Sequence, residues 1–124
     1  MRVIRSEKAP APIGPYSQAV LAGDVLYISG CLGVDPVSGE LKEGVEGQAR
    51  AALDNLCAIL EEAGYTLNNV VKTTVYLKSM GDFSEFNGIY ASYFDGYYPA
   101  RTCIEVAALP KGGLLEIEAI ASKE

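Results

Sequence analysis

Between residues 45 and 63 the apolar side chains Ala49, Ala52, Leu53, Leu56, Ile59, Leu60 and Ala63 recur at spacings of three and four. That period puts them on one side of an amphipathic helix, with Gln48, Arg50, Asp54, Asn55, Glu61 and Glu62 mostly off the stripe. Gly64 stands where a left-handed C-terminal cap belongs. One other stretch reads as a helix. It runs from Asp82-Phe83-Ser84-Glu85, an acidic capping box, to about Phe94, with Phe83, Phe86, Tyr90 and Phe94 along one face. Two such helices can cover one face of a sheet, and the 124 residues hold nothing for a third layer.

The remainder reads as strands. Segments 16–22 and 25–30 flank Gly23-Asp24, a two-residue hairpin connection. Segments 70–78, 101–108 and 114–122 follow, with 2–5 as a candidate sixth strand, and the prolines of Ala9-Pro10-Ala11-Pro12-Ile13-Gly14-Pro15 dictate an extended loop. The fold class is therefore α/β (α+β): one domain over residues 1–124, with both helices packed on one face of the sheet. Alternation assigns side chains to faces. Val71, Val75, Leu77, Ile104, Val106, Leu115, Ile117 and Ala119 would lie under the helices. Tyr27, Ser29, Lys72, Thr74, Tyr76, Arg101, Cys103, Glu105, Glu116 and Glu118 would line the open face. That face is either solvated or stacked against further copies of the chain.

Composition narrows the chemistry. With no histidine, a His-based triad and most zinc or haem ligand sets are excluded. The ten basic residues are never adjacent and the net charge is −6, which argues against nucleic acid as a partner. No apolar run approaches a membrane span of roughly 20 residues. Cys31, Cys57 and Cys103, odd in number and without a CxxC pair, read as free thiols of a cytoplasmic protein.

Gly14-Pro15-Tyr16-Ser17-Gln18-Ala19, Ile28-Ser29-Gly30, Val71-Lys72-Thr73-Thr74-Val75, Phe86-Asn87, Pro99-Ala100-Arg101-Thr102-Cys103-Ile104-Glu105-Val106-Ala107, Leu109-Pro110-Lys111 and Glu116-Ile117-Glu118-Ala119-Ile120-Ala121 occur in that order over nearly the whole chain. Together they resemble the Rid family of reactive intermediate imine deaminases, also called the YjgF family. The resemblance implies a chorismate-mutase-like fold with a mixed sheet, a cytoplasmic homotrimer, and active sites in the clefts between subunits. It further implies hydrolysis of 2-imino acids or their enamines, such as 2-iminobutanoate and 2-iminopropanoate, to 2-keto acids and ammonia.

The residues suit that chemistry. Arg101 offers a rigid, permanently charged fork for a carboxylate; paired with an acid, it would be merely structural. Glu116 matches the family's pocket carboxylate, orienting a water or relaying a proton, whereas Glu118 reads better as a salt-bridge partner. Tyr16 and Ser29 supply hydroxyls, Gly30 leaves room for a ligand to approach backbone, and Asn87 and Cys103 match pocket positions. Arg101 and Glu116 are thus the catalytic pair, and Tyr16, Ser29, Gly30, Asn87, Arg101 and Cys103 the substrate-binding set. Cys103 is not read as a nucleophile, because there is no histidine to activate it and an imine needs no covalent step. No metal or organic cofactor is required, since an imine carbon is already electrophilic. Two departures touch the site: Cys31 stands where close relatives carry Gln, and Leu32-Gly33-Val34-Asp35-Pro36 lacks a proline often found before Asp-Pro. The alternative reading is a non-enzymatic trimer that binds small carboxylates and regulates or protects a partner.

Overall fold

The alternating segments pair into one six-stranded sheet. In chain order the elements are β1 (Arg2–Ile4), β2 (Ala19–Ala22), β3 (Val25–Leu32), α1 (Gly44–Glu62), β4 (Val70–Leu77), α2 (Phe83–Tyr93), β5 (Ala100–Glu105) and β6 (Leu115–Ser122). They are described over residues 1–124 by a computed structural model. The strand order is β1-β2-β3-β6-β4-β5. Every neighbouring pair is antiparallel except β4 and β5, which α2 joins as a parallel crossover. The sheet is therefore mixed, and residues 2–4 do form its sixth strand.

The hairpin between β2 and β3 closes on Gly23, whose φ of +60° admits glycine most readily, with Ala22 opposite Val25. All seven stripe residues of α1 are buried. The helix ends in a Schellman arrangement around Gly64 (φ +80°), in which Tyr65 N–H donates to Leu60 O and Gly64 N–H to Glu61 O. Both helices pack on one side of the sheet, over Leu26, Ile28, Val75, Leu77, Ile117, Ala119 and Ala121. No helix is long and apolar enough to cross a membrane.

Four expectations need correction. The capping box at Asp82 does not form: Asp82 already has near-helical angles, its side chain makes no cap bond, and the chain enters α2 through a 3-10 turn capped by Ser79. Gln48 and Asn55 are buried despite lying off the stripe, because each satisfies loop backbone. Val71 is half exposed, since a bulge between Val70 and Lys72 inserts it as an extra residue and gives its buried place to Val70, the expected phase resuming at Thr73. Finally, β5 has the opposite phase to the one expected. Arg101, Cys103 and Glu105 pair with Thr73, Val75 and Leu77 on the helix side, leaving Ile104 on the open face at 43% exposure. The β5 strand itself ends at Glu105, before Val106.

Candidate active site

Two clusters of polar residues flank the sheet, one on each side. The first is built on α2 and the edge strand β5. Arg101 shares the helix-side phase of Thr73, and its guanidinium lies 4.9 Å from the Tyr90 ring centroid and 5.6 Å from that of Phe83. Its Nη1 donates to Asn87 Oδ1 at 2.8 Å. Tyr90 is held in turn by a buried 2.7 Å hydrogen bond between its hydroxyl and Thr73. No carboxylate lies within ion-pairing distance of Arg101. Two aromatic faces and one amide oxygen brace the cation, and the rest of its fork opens into a small cleft with Ala91, Tyr98 and Pro99. Cys103 lies two residues along on the same side, partly packed against the core. Burial pushes its thiol pKa up, with Arg101 acting weakly the other way.

The second cluster sits on the open side, where β3 meets β6. Here β3 carries a bulge: Ile28 pairs with Ala119 and Cys31 with Ile117, so three steps on β3 match two on β6. Ser29 and Gly30 fall between two core-facing residues, beside the half-buried Glu116. Burial raises the Glu116 pKa, and the Glu118 charge raises it further. Ser29 Oγ donates to Ser17 O at 2.6 Å, and Tyr16 stands half exposed at the rim, its hydroxyl accepting a long bond from Ile13 N–H. These residues line a cavity of about 520 Å³ that runs on past Cys31 and Leu32 to Val37 and Lys111. Cys31 is buried, and its thiol pKa is pushed up to about 12 by desolvation and by Glu116, so it is a neutral wall of the cavity.

The expected site residues thus divide. Tyr16, Ser29, Gly30 and Glu116 come together; Arg101, Asn87 and Cys103 come together elsewhere. Within one chain the two groups cannot converge. Glu116 pairs with Tyr76 and Arg101 with Thr73, so one strand and three residues separate them, roughly 14 Å between Cα atoms, and they point to opposite faces. Asn87 differs from its expected role in that its side-chain oxygen is engaged by Arg101.

Several supporting residues were not expected at the site, although Gln18, Thr73 and Lys111 lie within the family motifs. Gln18 accepts from Ser6 N–H and donates to Ser6 O and Pro10 O, tying the proline loop to the chain entering β2. Tyr90 and Thr73 orient the Arg101 platform; the aromatic period of α2 marks Tyr90 as apolar core and conceals that use. Lys111 adopts φ +60° in the 3-10 turn before β6 and reaches Gly39 O at 3.2 Å across the cavity mouth. No group of three or more cysteine, aspartate or glutamate side chains is arranged to hold a metal ion.

The profile of a family described as Endoribonuclease L-PSP matches residues 6–123. A mouse 2-iminobutanoate/2-iminopropanoate deaminase is 56% identical, the alignment covering 97% of this chain and 90% of the mouse protein. The crystal structure of RidA from the Antarctic bacterium Psychrobacter superposes with a TM-score of 0.98 at 47% identity, over 99% of this chain and 100% of that one. Escherichia coli TdcF with bound serine superposes with a TM-score of 0.97 at 40% identity, each chain being covered completely.

Proposed function

The chain belongs to the Rid family, described for its profile as Endoribonuclease L-PSP, and from that premise we propose that it hydrolyses 2-iminobutanoate and 2-iminopropanoate to 2-keto acids and ammonia. The carrying observation is Arg101: a partly buried guanidinium braced by Asn87, Tyr90 and Phe83 with no carboxylate of its own. An arginine held ready and unpaired is a receptor for a small carboxylate. The full-length likeness to imine deaminases supplies the reaction class, and serine bound to TdcF is an example of a small amino acid held by a relative.

In this mechanism Arg101 grips the substrate carboxylate and holds the adjacent C=N carbon in one place. Glu116 takes a proton from a water whose oxygen forms the new bond to that carbon. That proton passes to the nitrogen, which takes the C=N π pair, giving a carbinolamine. The hydroxyl proton then reaches the amine through Glu116, the C–N bond breaks with its pair on nitrogen, and ammonia leaves as the second C–O bond forms. A carboxylate with raised proton affinity suits both halves of that relay. Tyr16 and Ser29 border the reacting atoms, and Cys103 lies beside the carboxylate grip. None of these steps needs a metal or organic cofactor.

We place the complete site between subunits of a homotrimer, with the Arg101 cleft of one copy facing the Glu116 cavity of the next. The division of the site residues between two faces supports this, as does the uncovered side of the sheet, where Tyr27 and Ile104 are 52% and 43% exposed. The unpaired thiols fit a cytoplasmic setting. The endoribonuclease of the family description finds little support here: the net charge is −6 and no two of the ten basic residues are adjacent in the sequence.

The test generates 2-iminobutanoate in situ with threonine dehydratase and follows 2-ketobutanoate release. Wild-type protein should accelerate release, and Arg101→Ala should lose about 100-fold or more in kcat/KM. Absence of acceleration by wild type would sink the enzymatic reading. Binding of 2-ketobutanoate without turnover would point instead to a carboxylate-binding regulatory trimer.

A further inference from the structure

We infer that Gly30 is a positioning residue, its missing side chain forming the seat on which the Glu116 carboxylate rests. A Cβ built on Gly30 would lie 2.7 Å from both Cδ and Oε2 of Glu116 and 3.0 Å from its Cγ. Real Cβ atoms do not approach that closely. Conformation does not explain this glycine, because Gly30 is not among those with positive φ. It is also the one glycine whose added Cβ would come within 3.0 Å of an ionisable side chain.

The bulge in β3 makes the seat possible. By adding one residue between Ile28 and Cys31, it sets Gly30 on the open face two residues before Leu32, the pairing partner of Glu116. Gly30 and Glu116 are thereby diagonal neighbours across the ladder, at a separation that long side chains bridge. With no atoms beyond Cα on Gly30, the carboxylate folds down against the strand and loses solvent on that side. This contact is part of the burial that raises its proton affinity, to which the Glu118 charge adds.

Alanine at this position therefore moves an acid rather than breaking a fold. The clashing atoms belong to the free end of a flexible side chain, so Glu116 can swing away while the backbone stays. This role differs from admitting ligand to the backbone, and kinetics separate the two. The inference rests on Glu116 acting in the proposed hydrolysis.

The experiment compares Gly30→Ala in two backgrounds. Against wild type it should lower kcat about 10-fold or more, because a displacement of about 1 Å suffices for such losses. Affinity for 2-ketobutanoate should change by less than threefold. In a Glu116→Asp background, where the shorter side chain already withdraws its carboxylate, Gly30→Ala should cost less than twofold further. Equal losses in both backgrounds would overturn the seat, as would wild-type kcat with weakened ketobutanoate binding. A second measurement is independent of turnover. Carbon-13 NMR of glutamate-labelled protein, with Glu116→Gln to assign the signal, follows the ionisation of Glu116 directly. Gly30→Ala should shift its titration toward that of an ordinary carboxylate, and an unchanged midpoint overturns the inference even if the wild type proves inactive on imines.

Discussion

In the proposed mechanism Glu116 sets stability against reactivity within a single side chain. Desolvation, with a smaller contribution from Glu118, raises its pKa above the reference of 4.5. The ionised form is thus less favourable in the folded protein than in the unfolded chain. Above the raised pKa it destabilises the fold, and below the reference value, where both states are protonated, it contributes nothing. Glu116→Gln should therefore raise Tm by a few degrees at pH 7, with the gain vanishing by about pH 4, while turnover is lost. Thermal melts from pH 4 to 8 beside the imine assay check both halves. In the wild type, activity should fall on the acid side at a pH above the ordinary carboxylate range.

Arg101 was legible by type and motif but not by direction. Alternation on 101–106 favours Ile104 as the buried partner, yet β5 is an edge strand with half of each face unclaimed. What reverses its phase is Thr73, a polar residue made acceptable to the core by its hydrogen bond to Tyr90. A pairing between residues 17 apart leaves no mark on either local pattern.

Among the elements, α1 does more than supply core. From its buried side Asn55 donates to Leu32 O at 3.1 Å and Val34 O at 2.9 Å, holding the chain as it leaves β3. Gln48 accepts from Leu114 N–H and donates to Lys42 O, tying the approach to β6. Both anchored segments frame the Glu116 cavity. Asn55→Ala removes the donor from the buried Val34 O and from the part-buried Leu32 O, and should cost about 2 kcal/mol in urea denaturation. Asn55→Asp should also destabilise the fold, because it removes the donors and adds charge.

The helices, the Gly23-Asp24 hairpin and the Gly64 cap were legible because each depends on neighbours a few residues away. The two bulges were not. An inserted residue at Val71 or at Ser29-Gly30 leaves local hydrophobicity unchanged, and only the count on the opposing strand reveals it.

At the scale of the whole molecule, the separation of Arg101 from Glu116 gives the proposed assembly a quantitative signature. Arg101→Ala and Glu116→Gln proteins should each be inactive. Mixed in equal amounts and allowed to exchange subunits, they regain intact clefts wherever the arginine of one variant meets the glutamate of the other. Random exchange into rings should return about a quarter of wild-type activity, with light scattering reporting the trimer mass. No recovery despite verified exchange would overturn a shared cleft between copies of the chain. The trimer came from the family resemblance; the residues alone left the open face as either solvated or stacked.

The unpartnered guanidinium has a thermodynamic corollary. A cation with no internal counterion leaves the empty protein short of an interaction that any well-fitting acid restores, so occupancy and melting temperature rise together. At a ligand concentration 100 times Kd the linkage is worth about 2.7 kcal/mol. If Arg101 is the carboxylate grip proposed above, the melting temperature should rise with each acid that fits, before any reaction is assayed.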